Sequence, residues 1–198
     1  MGKNKAFLEI RGQRLIDRIR DLFLGLFDET LLVTHDPLDY LDLDLRIVAD
    51  LIPGKGSLGG LYTGLFYASH SHAFVAACDM PLLNKALIRY LVDLSGSFDV
   101  VIPKTEEGWQ PLHSVYSAKC IPFIEELLGK DDLKIIDFFP KIKKRIVPSE
   151  EILPFDPKHL SFFNVNTPED LLRADHLLPE LILEKDSTKK TDEPKTGI

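Results

Sequence analysis

The sequence of 198 residues holds two cysteines, Cys78 and Cys120. That is too few for a disulfide framework, and neither lies in a paired spacing that would build a structural zinc site, so a reducing cytoplasm suits it best. Positive charge is also in short supply. The 24 Lys and Arg face 31 Asp and Glu, a net charge of −7, which leaves no broad basic surface to hold a nucleic-acid backbone. No apolar run approaches the roughly 20 residues needed to cross a bilayer, and the opening MGKNKAFLEIRG has no apolar core of a signal peptide. The six histidines form no HExxH pattern, which disfavours zinc, and the absence of a G-x-S-x-G elbow argues against a serine hydrolase. No internal repeat is present.

What remains is an alternation of helix and strand. Leu15, Ile16, Ile19, Leu22, Phe23 and Leu26 fall on one helical face, after which TLLVTHDP switches to a β-rich run. LRIVAD, HAFVAACD and DVVIPKT predict further strands, with helices over LGGLYTGLFYAS and LNKALIRYLVDL between them. Short connections of this kind define an α/β domain. FVAAC and VVIP are continuously apolar, as parallel strands covered on both faces are. The segment PKTEEGWQPLHSVYS predicts a hairpin that returns a strand beside DVVIP, so the sheet is expected to be mixed. Helices follow near Ile121 to Leu128 and Leu133 to Phe139, then a basic strand KKRIV, then strand, turn and helix in FFNVNTPEDLLRADHLL. One domain is expected over residues 1–183. The stretch 184–198, EKDSTKKTDEPKTGI, has no apolar residue before Ile198 and reads as a disordered tail.

Three segments can carry chemistry. DLIPGKGSLGGL, from Asp50 to Leu61, follows a strand and runs into a helix, where Gly54, Gly56, Gly59 and Gly60 would let backbone approach an anion and Lys55 would add charge. It matches neither the Walker nor the dinucleotide fingerprint, and a glycine-rich connector is the plain alternative. CDMP puts Asp79 at the exit of the most apolar strand, where a carboxylate can hold Mg²⁺, although a helix N-cap followed by Pro81 would explain it too. Cys78 before it reads as a small buried hydrophobe. In FNVNTPEDL, Thr167, Pro168 and Asp170 mark a helix start, whereas Asn164 and Asn166, at alternate positions of a strand, either face a ligand or serve a turn. His35, in THDP, and the basic run Lys141 to Arg145 read as solvated surface before they read as ligand contacts.

In their order, MGKNKAFLEIRG, VTHDP, VADLIPGKGSLGGLYTGL, FVAACDMPLL, DVVIP, QPLHSVYS and FFNVNTPEDLL resemble the nucleotidyltransferase family that includes molybdenum cofactor guanylyltransferase (MobA-like). The resemblance runs from Met1 to about Leu178. It implies a three-layer α/β/α Rossmann-like fold with a mostly parallel mixed sheet, and transfer of GMP from GTP to the phosphate of the molybdopterin cofactor with release of pyrophosphate. It further implies that Lys5 and Asp79 are catalytic, that Asp79 holds Mg²⁺, and that Lys5, His35, Asp50, Gly59, Gly60 and Asp79 line the nucleotide. Gln110, Asn164 and Asn166 would face the acceptor. Molybdoenzymes or other cofactor-biosynthesis proteins would be its partners. His35 stands where relatives often carry Asn, and Asn4 replaces the Asp usual before the lysine. The family opens with a buried strand and a glycine-rich loop that this sequence lacks, so the start is expected upstream of Met1. The same chemistry with CTP or with a sugar or lactate phosphate is one alternative, and a truncated noncatalytic nucleotide-binding module is another.

Overall fold

The computed structural model of the chain describes residues 4–188. After a 3-10 turn at Lys5–Phe7, a small hairpin of β1 (Glu9–Ile10) and β2 (Gln13–Arg14) leads into α1 (Leu15–Leu24). Leu15, Ile16 and Ile19 are buried, so the apolar stripe read from the sequence is the face that packs. The alternation then proceeds as expected through β3 (Leu31–Thr34), β4 (Arg46–Ala49), α2 (Gly56–Tyr67), β5 (His72–Ala76), α3 (Lys85–Asp93) and β6 (Val100–Thr105). The hairpin is present: β7 (Gly108–Trp109) pairs with the end of β6, and β8 (His113–Ser117) lies antiparallel to both β6 and β5. Next come α4 (Ile121–Gly129), a 3-10 segment at Ile135–Lys141, and the basic strand β9 (Lys144–Pro148), parallel to β6. A short α5 (Ser149–Ile152) and the long α6 (Pro168–Thr188) complete the described chain.

Alternation along β6 builds the layers. Val100 and Ile102 pack with Leu58, Leu61 and Leu65 of α2 and with Ile124 of α4, while Val101 turns the other way to Leu87 and Leu91 of α3. Helices therefore cover both faces of a mixed sheet, the α/β/α arrangement expected. Among the described residues the parallel pairings are β3 with β4 and β6 with β9; the other pairings are antiparallel.

Two expectations are corrected. The most apolar strand, β5, is not buried on both faces: each of its five residues is half-buried. It has one partner, β8, while β3 and β4 form a separate two-stranded sheet, so the strands do not make one continuous sheet. Secondly, FFNVN is not a strand. A 3-10 turn at Leu160–Phe162 and irregular backbone lead to α6, and Val165 donates its N–H to the Asp79 carbonyl at 2.8 Å. Helix α6 runs to Thr188, and of the tail expected over 184–198 the residues 189–198 lie outside the described ones.

Candidate active site

The carboxyl ends of β3 and β5 come out on one rim. Tyr40, in the 3-10 turn Pro37–Tyr40 after β3, anchors the rim: its hydroxyl accepts from Asn4 Nδ2 at 2.8 Å, and its ring belongs to a buried cluster against which Cys78 packs. Asn4 also caps the first turn, accepting the Ala6 N–H on Oδ1. The residue that departs from the family's usual Asp thus holds Lys5 in place. Lys5 then reaches across the rim to donate to Asn166 Oδ1 at 2.7 Å, with Asp79 Oδ2 at 3.6 Å. The Asp79 side chain is 20% exposed and that of Lys5 37%, so this cluster of cation, carboxylate and amide opens to solvent on one side.

Capping does not account for Asp79. Helix α3 begins at Lys85 and is capped by Asn84, whose Oδ1 accepts from Ala86 and Leu87. Asp79 lies in a turn several residues earlier, with its side chain beside Lys5 and its carbonyl bound by Val165. The N–H of Val165 fixes the two flanking asparagines against the strand exit, which is why Asn166 meets Lys5. Asn164 donates to the Phe162 carbonyl at 3.1 Å. The helix start also forms as read: Asp170 Oδ2 accepts from the N–H groups of Asn166 and Thr167, and Thr167 Oγ1 accepts from Asp170.

Asp50 occupies the mouth of the glycine loop. Its Oδ1 accepts from the Ile52 N–H at 3.2 Å and from Thr63 Oγ1 at 3.0 Å, while Thr63 in turn accepts from Leu51. Thr63, buried and unremarkable in the sequence, is the support that the sequence did not reveal. Asp50 Oδ2 remains, 4.0 Å from Nδ1 of the solvent-facing His35. The conformational need for glycine falls at Gly54 and Gly56, whose φ values are +79° and +54°. Gly59 and Gly60 are already inside α2. The amide of Gly59 donates to the Lys55 carbonyl, and its missing Cβ lets helix and loop approach closely, whereas Gly60 lines a cavity behind the rim. Lys55 is ion-paired with Asp131 at 2.7 Å rather than held free.

Antiparallel register carries Gln110 to the same end of the sheet. His113 pairs with Ala76, so residues before His113 run alongside those after Ala76, toward Asp79. The Gln110 side chain donates to Thr105 Oγ1 at 3.3 Å, and its carbonyl accepts from Ser114 Oγ. Burial pushes the Cys78 thiol up, with the Asp79 charge adding, so the cysteine is a packing residue and not a thiolate. In the basic run, Lys141 pairs with Glu126 and Arg145 with Glu151, as a solvated edge strand would.

An α/β/α fold that brings a lysine, an aspartate and an asparagine together at the carboxyl ends of its strands has the arrangement of a nucleotide-handling transferase of the open-sheet class. Residues 1–141 match the MobA-like NTP transferase domain, and the chain belongs to that family. A molybdenum cofactor guanylyltransferase from Desulfosudis oleivorans is 37% identical over 88% of this chain and 87% of its own. A probable molybdenum cofactor guanylyltransferase from Pelotomaculum thermopropionicum is 38% identical over 88% and 85%. Among solved structures, molybdopterin-guanine dinucleotide biosynthesis protein A from Archaeoglobus fulgidus superposes with a TM-score of 0.79 at 26% identity, covering 90% of this chain and 92% of that one.

Proposed function

We propose that the protein is a molybdenum cofactor guanylyltransferase. An oxygen of the terminal phosphate of the molybdopterin cofactor attacks the α-phosphorus of GTP; the new P–O bond forms as the bond to the β-phosphate oxygen breaks, and pyrophosphate leaves. The observation that carries this reading is the Lys5–Asp79–Asn166 cluster, assembled from segments far apart in the chain. The Lys5 ammonium offsets charge on the triphosphate, and the Asn166 amide holds that ammonium over the strand exit. Alignment of attacking and leaving oxygens falls to the rim itself, since displacement at phosphorus asks the protein for positioning and charge more than for covalent chemistry.

Mg²⁺ fits these residues. Such an ion takes one or two carboxylates and completes its shell with water and phosphate oxygens. Asp79 offers a partly exposed carboxylate whose cationic neighbour stands back at 3.6 Å, with the Asn166 amide beside it. When bound, the ion supplies charge neutralisation on the phosphates. Asp50 Oδ2 and His35 face the nucleotide in this reading, and Gln110, Asn164 and Asn166 the acceptor, while Gly59 and Gly60 act through the placement of α2. The two free cysteines suit a reducing cytoplasm, and among the described residues no helix is long and apolar enough to cross a membrane.

Pyrophosphate release from GTP in the presence of molybdopterin cofactor and Mg²⁺ tests the reading. Asp79→Ala should lower turnover about a thousandfold, the scale of losing a charge that stabilises the transition state, with an unchanged circular-dichroism spectrum. Turnover at the parent rate in that variant would remove Asp79 from the mechanism. A preference for CTP over GTP would retain the chemistry and overturn the choice of base.

A further inference from the structure

Thr63 is fully buried in α2, a helix whose other buried side chains, Leu58, Leu61 and Leu65, are apolar. A hydroxyl taken out of water must find partners, and this one uses its donor and an acceptor site together. Its oxygen accepts the Leu51 N–H at 3.0 Å, and its single hydrogen goes to Asp50 Oδ1 at 3.0 Å. Gly59 makes the reach possible. It lies four residues before Thr63, on the same face of the helix, and a Cβ there would stand 3.0 Å from the Ile52 carbonyl oxygen. Helix α2 therefore lies close enough to residues 50–52 for a short side chain to bridge to them.

The bridge decides which carboxylate oxygen is left. Asp50 Oδ1 accepts twice, from Thr63 and from the Ile52 N–H at 3.2 Å. Oδ2 accepts no hydrogen bond from the described residues, and the His35 ring stands off at 4.0 Å on the solvent side. A Cβ at position 59 would lie 3.5 Å from Oδ2, in contact with it, so glycine also keeps this oxygen uncovered. The backbone of Asp50 is fixed as well. Its N–H donates to the Thr34 carbonyl at 2.9 Å, which carries the β3–β4 ladder one residue further, to the strand ends. A carboxylate oxygen accepts and does not donate, so Oδ2 takes an N–H or O–H of the base or ribose and repels phosphate oxygens, which fall to Lys5.

We propose that Thr63 is a positioning residue for nucleotide binding: its hydroxyl, acting through Asp50, turns the carboxylate so that Oδ2 alone faces the nucleoside part of the nucleotide. This role rests on the placement of Asp50 against the nucleotide in the guanylyl-transfer reading. Thr63 itself touches no substrate. Without the hydroxyl, Oδ1 keeps only the Ile52 N–H, the Leu51 N–H loses its acceptor, and the carboxylate is free to turn about its Cβ–Cγ bond. The loss then falls on GTP affinity in ground state and transition state alike.

The test measures pyrophosphate release by the full chain with molybdopterin cofactor and Mg²⁺ as GTP is varied, for the parent, Thr63→Val, Thr63→Ser, Asp50→Ala and the double variant of valine with alanine. Thr63→Val keeps the shape and removes the hydroxyl. It should raise KM for GTP about tenfold with kcat within about twofold of the parent, whereas Thr63→Ser, which keeps the hydroxyl, should hold the parent KM. In the Asp50→Ala background Thr63→Val should change KM by less than about twofold, because the carboxylate it positions is gone. With 2′,3′-dideoxy-GTP, disappearance of the valine effect places the donor on the ribose and persistence places it on the base; both support the proposal. An unchanged KM in Thr63→Val beside a working parent would overturn the positioning role alone, as would equal impairment by serine or losses that multiply fully with Asp50→Ala. A parent that releases no pyrophosphate from GTP would overturn the guanylyl-transfer reading and with it the role that rests on it. Circular dichroism checks the fold, and should the valine variant unfold, Thr63→Ala carries the same expectations.

Discussion

Lys5 Nζ lies 2.7 Å from Asn166 Oδ1, across 161 positions of sequence, and the bond closes the rim on which the candidate site stands. Its two ends are fixed independently. Asn4 ties the lysine's turn to Tyr40, and the bond between Val165 N–H and the Asp79 carbonyl ties the asparagine to the exit of β5. Such a lysine is oriented before any phosphate arrives, which is the condition for a charge to act in the transition state without reorganisation.

That arrangement separates the roles of the two residues. Lys5→Ala removes the charge and should lower kcat by about a hundredfold to a thousandfold. Asn166→Ala removes a hydrogen bond to a charged group, worth about 1.5–3 kcal/mol, and should lower kcat roughly tenfold to a hundredfold. Steady-state kinetics on both variants and on the double variant check this. If Asn166 acts through Lys5, the double variant should be no slower than Lys5→Ala alone; fully multiplicative losses would make the two independent.

Adjacent glycines in α2 should behave oppositely. A Cβ at Gly59 would lie 3.0 Å from the Ile52 carbonyl oxygen and 3.0 Å from Lys55 Cβ, which forces helix and loop apart; at Gly60 nothing lies within 4 Å. Gly59→Ala should therefore destabilise the fold by about 1–3 kcal/mol through overpacking. Gly60→Ala should stabilise it by about 0.5–1 kcal/mol through helix propensity. Urea titration of the two variants distinguishes them, and equal midpoints would refute the assignment of the close approach to Gly59.

Asn84 offers a test of local structure remote from chemistry. Its Oδ1 accepts from two first-turn N–H groups of α3, and its Nδ2 donates to the Phe155 carbonyl at 2.8 Å. Asn84→Ala loses both the cap and the tertiary bond, so a loss of about 2 kcal/mol, at the upper end for caps, is expected by chemical denaturation. A loss below about 0.5 kcal/mol would mean that solvent replaces the cap.

Much of this was legible in the sequence because it is local. The stripe of α1, the Thr167–Asp170 cap and the return of β8 beside β6 each follow from periodicity or from a short motif. Apolar FVAAC promised a strand covered on both faces, yet composition says nothing of neighbours, and β5 is left with one. FFNVN resembles a strand by alternation, but its backbone is held by Asp79 and a 3-10 turn, a tertiary override of pattern. Thr63 gave no signal because its role, carrying Asp50 and Leu51, exists only once α2 folds back on the loop. The candidate residues came from the family resemblance of the ordered motifs; that Lys5 meets Asn166 did not.

His113 should give the fold a marked dependence on acid. It is fully buried on β8, its ring edge-to-face between Phe74 and Phe162 at 5.0 Å from each, and neither ring nitrogen has a hydrogen-bond partner. Burial lowers its pKa from the ordinary 6.5 to about 3. The folded state therefore refuses a proton that the unfolded state accepts below pH 6.5, so the unfolded state binds more protons and stability falls as pH drops from about 6.5 toward 3. Above pH 6.5 the group is neutral in both states and contributes no pH dependence. The slope within that window approaches about 1.4 kcal/mol per pH unit for one such group. His113→Phe keeps a ring between Phe74 and Phe162 while removing the titration. Unfolding free energies from urea titrations between pH 7 and 5 should fall more steeply for the parent than for the variant, by about 2 kcal/mol across the interval. Parallel curves would show that His113 takes up a proton in the folded protein, and the histidine would then need a partner that its packing does not provide.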